Sequence, residues 1–231
     1  MDDTHKLPLP ERSQSLLDEM AQRVIVADGA MGTMLQDAGP TMEDFHGLEG
    51  CNEILNVTRP DIVTAVHDAY FEVGVDCVET NTFGANWSNL SDYDIEERIE
   101  ELAEAGARIA REGAERWEKE DSRQRWVLGS IGPGTKLPSL GHTTYSFLKS
   151  TFERQAEGLL KGGADAFMVE TSQDLLQTKA AINGCKDAMR AAGTRLPLFV
   201  EVTVEATGTM LMGSEINAAL TALEPLSIDM I

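Results

Sequence analysis

Carboxylates, hydroxyls and glycines gather in this sequence where short apolar runs end. The first run closes in Ala27-Asp28-Gly29-Ala30-Met31-Gly32-Thr33. Its glycines permit a tight turn and offer amide hydrogens to an anion, and Asp28 could meet a cation beside it; a capped strand-to-helix turn is the plain structural alternative. A second run closes in Glu79-Thr80-Asn81-Thr82-Phe83 and a later one in Glu170-Thr171. A glutamate ending a buried strand is costly unless it meets a cation, a metal or several donors. Glu79 and Glu170 are therefore candidate ligand-binding acids, with a structural salt bridge as the alternative. Glu201, inside Phe199-Val200-Glu201-Val202-Thr203, is a third and weaker candidate.

Other polar motifs say less. Gly129-Ser130-Ile131-Gly132-Pro133-Gly134 can be read as a phosphate cradle, although glycine-rich turns are common where strands end. His46 and His142 fall in expected loops and His67 in a helix, without the HxxxH or His-Cys spacing of a metal site. Cys77 lies two residues before Glu79 with no histidine or second cysteine near it, which fits a buried core thiol better than a nucleophile.

These residues need a scaffold that collects strand ends. Apolar runs at residues 24–27, 75–79, 126–130, 166–170 and 198–203 alternate with helical periods at 61–73, 94–117, 145–160, 174–192 and 214–223. Near-continuous apolar strands separated by amphipathic helices indicate βα units and a parallel sheet covered on both faces. Residues 74–80, Gly-Val-Asp-Cys-Val-Glu-Thr, are echoed at 163–171 by Gly-Ala-Asp-Ala-Phe-Met-Val-Glu-Thr. Each copy ends a helix on glycine, runs through a strand and closes on Glu-Thr at the carboxyl end, where barrel active sites lie. Residues 226–231 read as the start of a sixth strand. The expected architecture is an incomplete TIM (β/α)8 barrel of about five and a half βα units. Residues 1–22 form an expected helical extension, residues 23–231 the partial barrel, and the loop at 39–50 is expected over the barrel mouth.

Composition narrows the function classes. The chain has 231 residues, 42% of them hydrophobic and 25% charged, which suits one globular α/β domain. A formal net charge of −20 disfavours nucleic acid and anionic lipid as partners. Much of that charge sits in runs at 94–104 and 112–121 that read as solvated helix faces. Cys51, Cys77 and Cys185 are far apart, so a disulfide framework is not indicated and a reducing cytoplasm is expected. No membrane span or export signal is read.

Taken together, Asp28-Gly-Ala-Met-Gly-Thr-Met, Glu79-Thr-Asn-Thr-Phe, Gly129-Ser-Ile-Gly-Pro and Val169-Glu-Thr resemble the homocysteine S-methyltransferase domain family, from about Arg23 to the last residue. Within it, residues 28–34 and 81–83 look most like the amino-terminal module of cobalamin-dependent methionine synthases. The resemblance implies that homocysteine takes a methyl group from methylcobalamin, which 5-methyltetrahydrofolate recharges. It implies that the Gly29 and Ala30 amides receive the amino acid's carboxylate, that Asp28 and Glu170 hold its ammonium, and that Glu79, Thr80 and Asn81 shape the pocket. It further implies thiol activation by zinc on three cysteines, one after the sixth strand and two adjacent near the eighth. Cys51, Cys77 and Cys185 match none of these, so zinc and cobalamin are expected only in a complete parent enzyme and no catalysis from this chain alone.

Two other readings stay open. One is a stand-alone homocysteine methyltransferase using betaine or S-methylmethionine; the other is a non-catalytic truncated remnant. A TIM-barrel lyase or aldolase would be expected to carry a Schiff-base lysine at a strand end, and none of the five strands contains one.

Overall fold

The computed structural model describes residues 3–231; the first two residues of the expected extension lie outside it. Four parallel strands form one sheet in the order β1 (Cys77–Glu79), β2 (Trp126–Ile131), β3 (Ala166–Ser172) and β4 (Leu198–Val202). A further segment pairs at each edge. Ala27 bridges Cys77, and Met230 bridges Phe199, both in parallel. The sheet therefore runs through six parallel segments in chain order without closing on itself.

The first segment is shorter than the expected strand at 24–27, and the reason is physical. Its carbonyl at Val26 accepts from Asp76 N and Cys77 N at 2.7 and 3.1 Å, but it has a neighbour on one side only. Val24 and Val26 are 83% and 53% exposed, so its outer face has no cover. The sixth segment is likewise brief, held by Val200 N to Met230 O at 3.0 Å and Asp229 N to Leu198 O at 2.9 Å.

The helices are α1 (Glu11–Met20), α2 (Met31–Asp37), α3 (Leu55–Thr58), α4 (Pro60–Glu72), α5 (Trp87–Leu90), α6 (Ile99–Asp121), α7 (Tyr145–Gly162), α8 (Leu175–Ala192) and α9 (Ile216–Leu223). Pro60 starts α4, where its fixed φ and missing N–H cost nothing. The helix expected from residue 94 begins at Ile99 instead, because Asp94 adopts a left-handed conformation and a single 3-10 turn, Glu96–Arg98, intervenes. Asp174 caps α8 by accepting from Leu176 N and Gln177 N.

Period two along the strands decides what each residue meets. On the outer face Phe167, Val169, Leu198 and Val200 pack against Leu148, Phe152 and Leu159 of α7 and Ile182 and Cys185 of α8. On the inner face Cys77, Trp126, Leu128, Ala166, Met168 and Phe199 form the barrel interior. Leu16, Leu17 and Met20 of α1 join that interior cluster from the amino end, where Ser13 Oγ donates to Asp165 O at 2.7 Å. Continuing the same parity, Glu79, Ser130, Glu170 and Glu201 follow the apolar inner residues at the carboxyl end.

The loop at 39–50 does not cover that end. Phe45 is buried against Leu35, Ile62 and Val66, Asp44 pairs with Arg59, and no residue of the loop lines the cleft described next. Apolar burial beside α4 outweighs reaching over the mouth.

Candidate functional site

A cleft of about 300 Å³ opens at the carboxyl end of the strands, lined by Gly29, Met31, Gly32, Asn52, Glu53, Glu79, Thr80, Asn81, Phe83, Ser130 and Glu170. It brings together five of the residues singled out in the sequence: Gly29, Glu79, Thr80, Asn81 and Glu170. Asp28 and Ala30 border the cleft without lining it. Glu201, more exposed on the open β4 edge, is not part of the wall either.

Asp28 is held by the neighbouring strand. Its Oδ1 accepts the Glu79 amide at 2.9 Å, and its Oδ2 is shut off from solvent with no partner among the described residues. Burial pushes its pKa up to about 7 against the help of the Glu79 amide, and nearby Glu170 adds to the rise. The N–H groups of Gly29 and Ala30, immediately after it, have no protein acceptor among the described residues. Tyr70 from α4 donates to the Ala30 carbonyl at 3.3 Å and steadies the turn.

Glu170 accepts a hydrogen bond from Ser130 Oγ at 2.5 Å and shares the cleft wall with Glu79. The Glu79 pKa is raised by burial first, then by Glu170 and Asp28. Burial also raises that of Glu170, against the Ser130 hydroxyl. Beside Glu170 the chain is strained: Thr171 has φ of +55°, and the pairing with β4 shifts register between Val169 and Ser172. A β-branched residue in the left-handed region is a true outlier. This bulge ends the ladder at Val169, and pairing resumes only at Ser172 with Val202.

Thr80 and Asn81 build the wall but spend their polar atoms inside the protein. Thr80 Oγ1 lies 2.6 Å from Thr82 Oγ1 and accepts Ser130 N at 3.0 Å, while Asn81 Nδ2 donates to Asn52 O and Asn56 Oδ1 at 2.8 and 2.9 Å. They shape the cleft and offer it little.

Sequence reasoning missed Asn52, Glu53 and Phe83 as lining residues and passed over Ser130 inside its glycine motif. Glu53 lies in a 3-10 turn far from any strand end and is buried; its Oε1 accepts Gly84 N at 2.7 Å, and burial raises its pKa. A Cβ on Gly84 would sit 2.6 Å from that oxygen, so only glycine admits the contact. No local pattern marks such an acid; the chain returns it to the mouth through tertiary packing.

The phosphate-cradle reading of residues 129–134 does not fit the structure. Gly132 N donates to Phe83 O at 3.1 Å, Thr135 N to Ser88 Oγ at 2.8 Å, and Gly129 lies inside β2. These amides are committed to the fold.

The cysteines do not suit zinc. Cys51, Cys77 and Cys185 are all buried, each in a different apolar cluster, and burial raises all three thiols, that of Cys51 to about 12. No group of three His, Cys, Asp or Glu side chains among the described residues is arranged to hold a metal ion. No helix among them is long and apolar enough to cross a membrane.

Comparison with known proteins agrees with the strand-end motifs. Residues 25–231 match the family described as Homocysteine S-methyltransferase. Over 216 residues the chain is 61% identical to methionine synthase of Mycobacterium tuberculosis and 60% identical to that of Mycobacterium leprae. In each case the match covers 94% of this chain and 18% of the relative, so the chain spans about a fifth of the length of these relatives. The structure resembles the metallated form of the homocysteine methyltransferase MmuM from Escherichia coli with a TM-score of 0.74, at 20% identity, over 94% of this chain and 75% of that one. That likeness shows the partial barrel-type fold. With nearly the whole chain inside the family match and its motifs standing at the strand ends of that fold, the chain belongs to the homocysteine S-methyltransferase family.

Proposed function

We propose that this chain forms the amino-acid-binding face of a homocysteine methyltransferase site of the methionine synthase type. The observation that carries the reading is the turn after the first segment: among the described residues, one buried Asp28 carboxylate oxygen has no partner, and the next two amides have no acceptor. A zwitterion answers both needs, with its carboxylate accepting from Gly29 and Ala30 and its ammonium donating to Asp28 and Glu170. Gripped at that end, homocysteine is left with its thiol free to project from the turn. Thr80, Asn81 and Ser130 fix the wall, and Met31 and Phe83 supply apolar surface.

In the complete reaction the sulfur loses its proton and gains the methyl group, giving methionine. The methyl donor in this reading is methylcobalamin recharged from 5-methyltetrahydrofolate, and neither it nor zinc is held by the residues described here. Identity of about 60% to methionine synthases favours this branch over a betaine or S-methylmethionine enzyme. Three reduced thiols support a cytoplasmic setting.

Calorimetric titration with L-homocysteine tests the reading. Asp28→Ala and Glu170→Ala are each expected to weaken binding by about tenfold or more, the scale of a lost charge-assisted hydrogen bond. Unchanged affinity in both variants would overturn it.

A further inference from the structure

The cleft gathers acids and no cations to meet them. Glu53, Glu79 and Glu170 line it, Asp28 stands behind its wall, and no lysine, arginine or histidine lines it. The elements around the pair contribute only acids and neutral groups. Asp28 comes from the first turn, Glu53 from the turn before α3 and Glu201 from β4, while β2 supplies the Ser130 hydroxyl and α4 the Tyr70 hydroxyl. None of these carboxyls has an ion pair among the described residues. Yet Glu79 and Glu170 line the same cleft, on either side of the strand that carries Ser130, whose hydroxyl Glu170 accepts at 2.5 Å. Two ionised carboxylates are acceptors only and repel, whereas one protonated carboxyl can donate to the other. Two like charges sharing one desolvated site cannot both form cheaply.

We propose that Glu79 and Glu170 share one proton in the ligand-free cleft and that an incoming ammonium group displaces it. This deepens the amino-acid-binding reading and rests on it for the identity of the ligand. The exchange balances: the shared proton leaves for solvent, the O–H···O bond breaks, and N–H donors of the ammonium take its place between two carboxylates. The pair carries one negative charge before binding. Together with the ammonium it carries one negative charge afterwards, so the cleft takes a cation without a change of net charge. Glu79 thereby becomes a specificity residue, since a neutral amine or alcohol brings no charge to offset the second carboxylate. Burial, which raises the Glu79 pKa, supports the protonated state.

The test has two readouts. Infrared spectroscopy of the ligand-free chain carrying carbon-13 glutamate is expected to show a protonated glutamic acid at neutral pH that is missing in Glu79→Gln; identical spectra would overturn the proposal. Calorimetry with L-homocysteine in buffers of different ionisation enthalpy is expected to show proton release, smaller by about one proton in Glu79→Gln. Equal release by both proteins would also overturn it. Absence of any homocysteine heat would count against the amino-acid-binding reading, and the infrared result would then decide the shared proton alone.

Discussion

The two ends of the barrel are built from the same residue types and behave in opposite ways. In both copies of the internal repeat an aspartate opens the strand and a glutamate closes it: Asp76 and Glu79, Asp165 and Glu170. At the amino end the acids find arginines. Asp76 receives Arg23 at 2.9 Å and Arg123 at 3.3 Å, and Asp165 receives Arg111 at 3.1 Å. Each also accepts a backbone amide, from Val26 and Val127 respectively. Arg12 and Glu118 extend the network under α1. At the carboxyl end Glu79 and Glu170 have no ion pair with an arginine or lysine among the described residues, and Glu170 accepts from the Ser130 hydroxyl. A buried carboxylate that has its arginine holds the fold together, and one without a cation is, in the function proposed above, left for a ligand.

Charge states follow this division. Burial opposes ionisation of Asp76, but Arg23 and the Val26 amide prevail and its pKa is lowered. Asp165 is more enclosed, and burial raises its pKa even against Arg111. The pairing there is structural, because Arg111 and Asp165 are both largely shut off from water.

The largest expected effect comes from breaking the amino-end network. Arg111→Met strands Asp165 without its cation and is expected to destabilise the chain by about 3 kcal/mol in chemical denaturation, the scale of an uncompensated buried charge. Glu79→Gln at the mouth is the matched control and is expected to cost no stability. An equal loss in both variants would erase the distinction between the ends.

The pH dependence of stability gives a smaller contrast with opposite signs. Unfolded, Asp28 loses its proton near 3.8, whereas folded it keeps it until about 7. The folded state therefore binds more protons between these values, and the mouth makes unfolding easier as pH rises through that window. Asp76 acts in reverse: its folded pKa is depressed, so its contribution is present above its unfolded value and is lost as pH falls. Asp28→Asn is expected to flatten the decline between about pH 4 and about pH 7 and to gain about 1 kcal/mol or more at the upper end. A decline as steep as that of the parent would show that the mouth acids are not its source.

The smallest effect concerns Thr171. Its left-handed backbone stores strain of about 1 to 3 kcal/mol, and glycine relieves that at an entropic cost of about 0.5 to 1 kcal/mol. Thr171→Gly is therefore expected to leave stability equal or slightly raised while weakening homocysteine binding, because the bulge at Thr171 positions Glu170. A clear loss of stability would mean that the bulge is relaxed.

The chain by itself determined the order of strands and helices, because near-continuous apolar runs and amphipathic helices of period 3.6 must bury their apolar faces to fold. It also placed Glu79 and Glu170 at the carboxyl ends of their strands, because each closes an apolar run of the repeat; that both follow inward residues, Cys77 and Met168, was decided by the folded sheet. Tertiary structure alone decided the rest. Glu53 reached the cleft and the loop at 39–50 turned away from it because packing beside α4 and the Gly84 amide, distant in sequence, set their positions. Which acids of the repeat met arginines was settled in the same way. Ion pairing depends on what lies across a few ångströms of space, and residues such as Arg111 and Asp165, 54 positions apart, carry no local sign that they will meet.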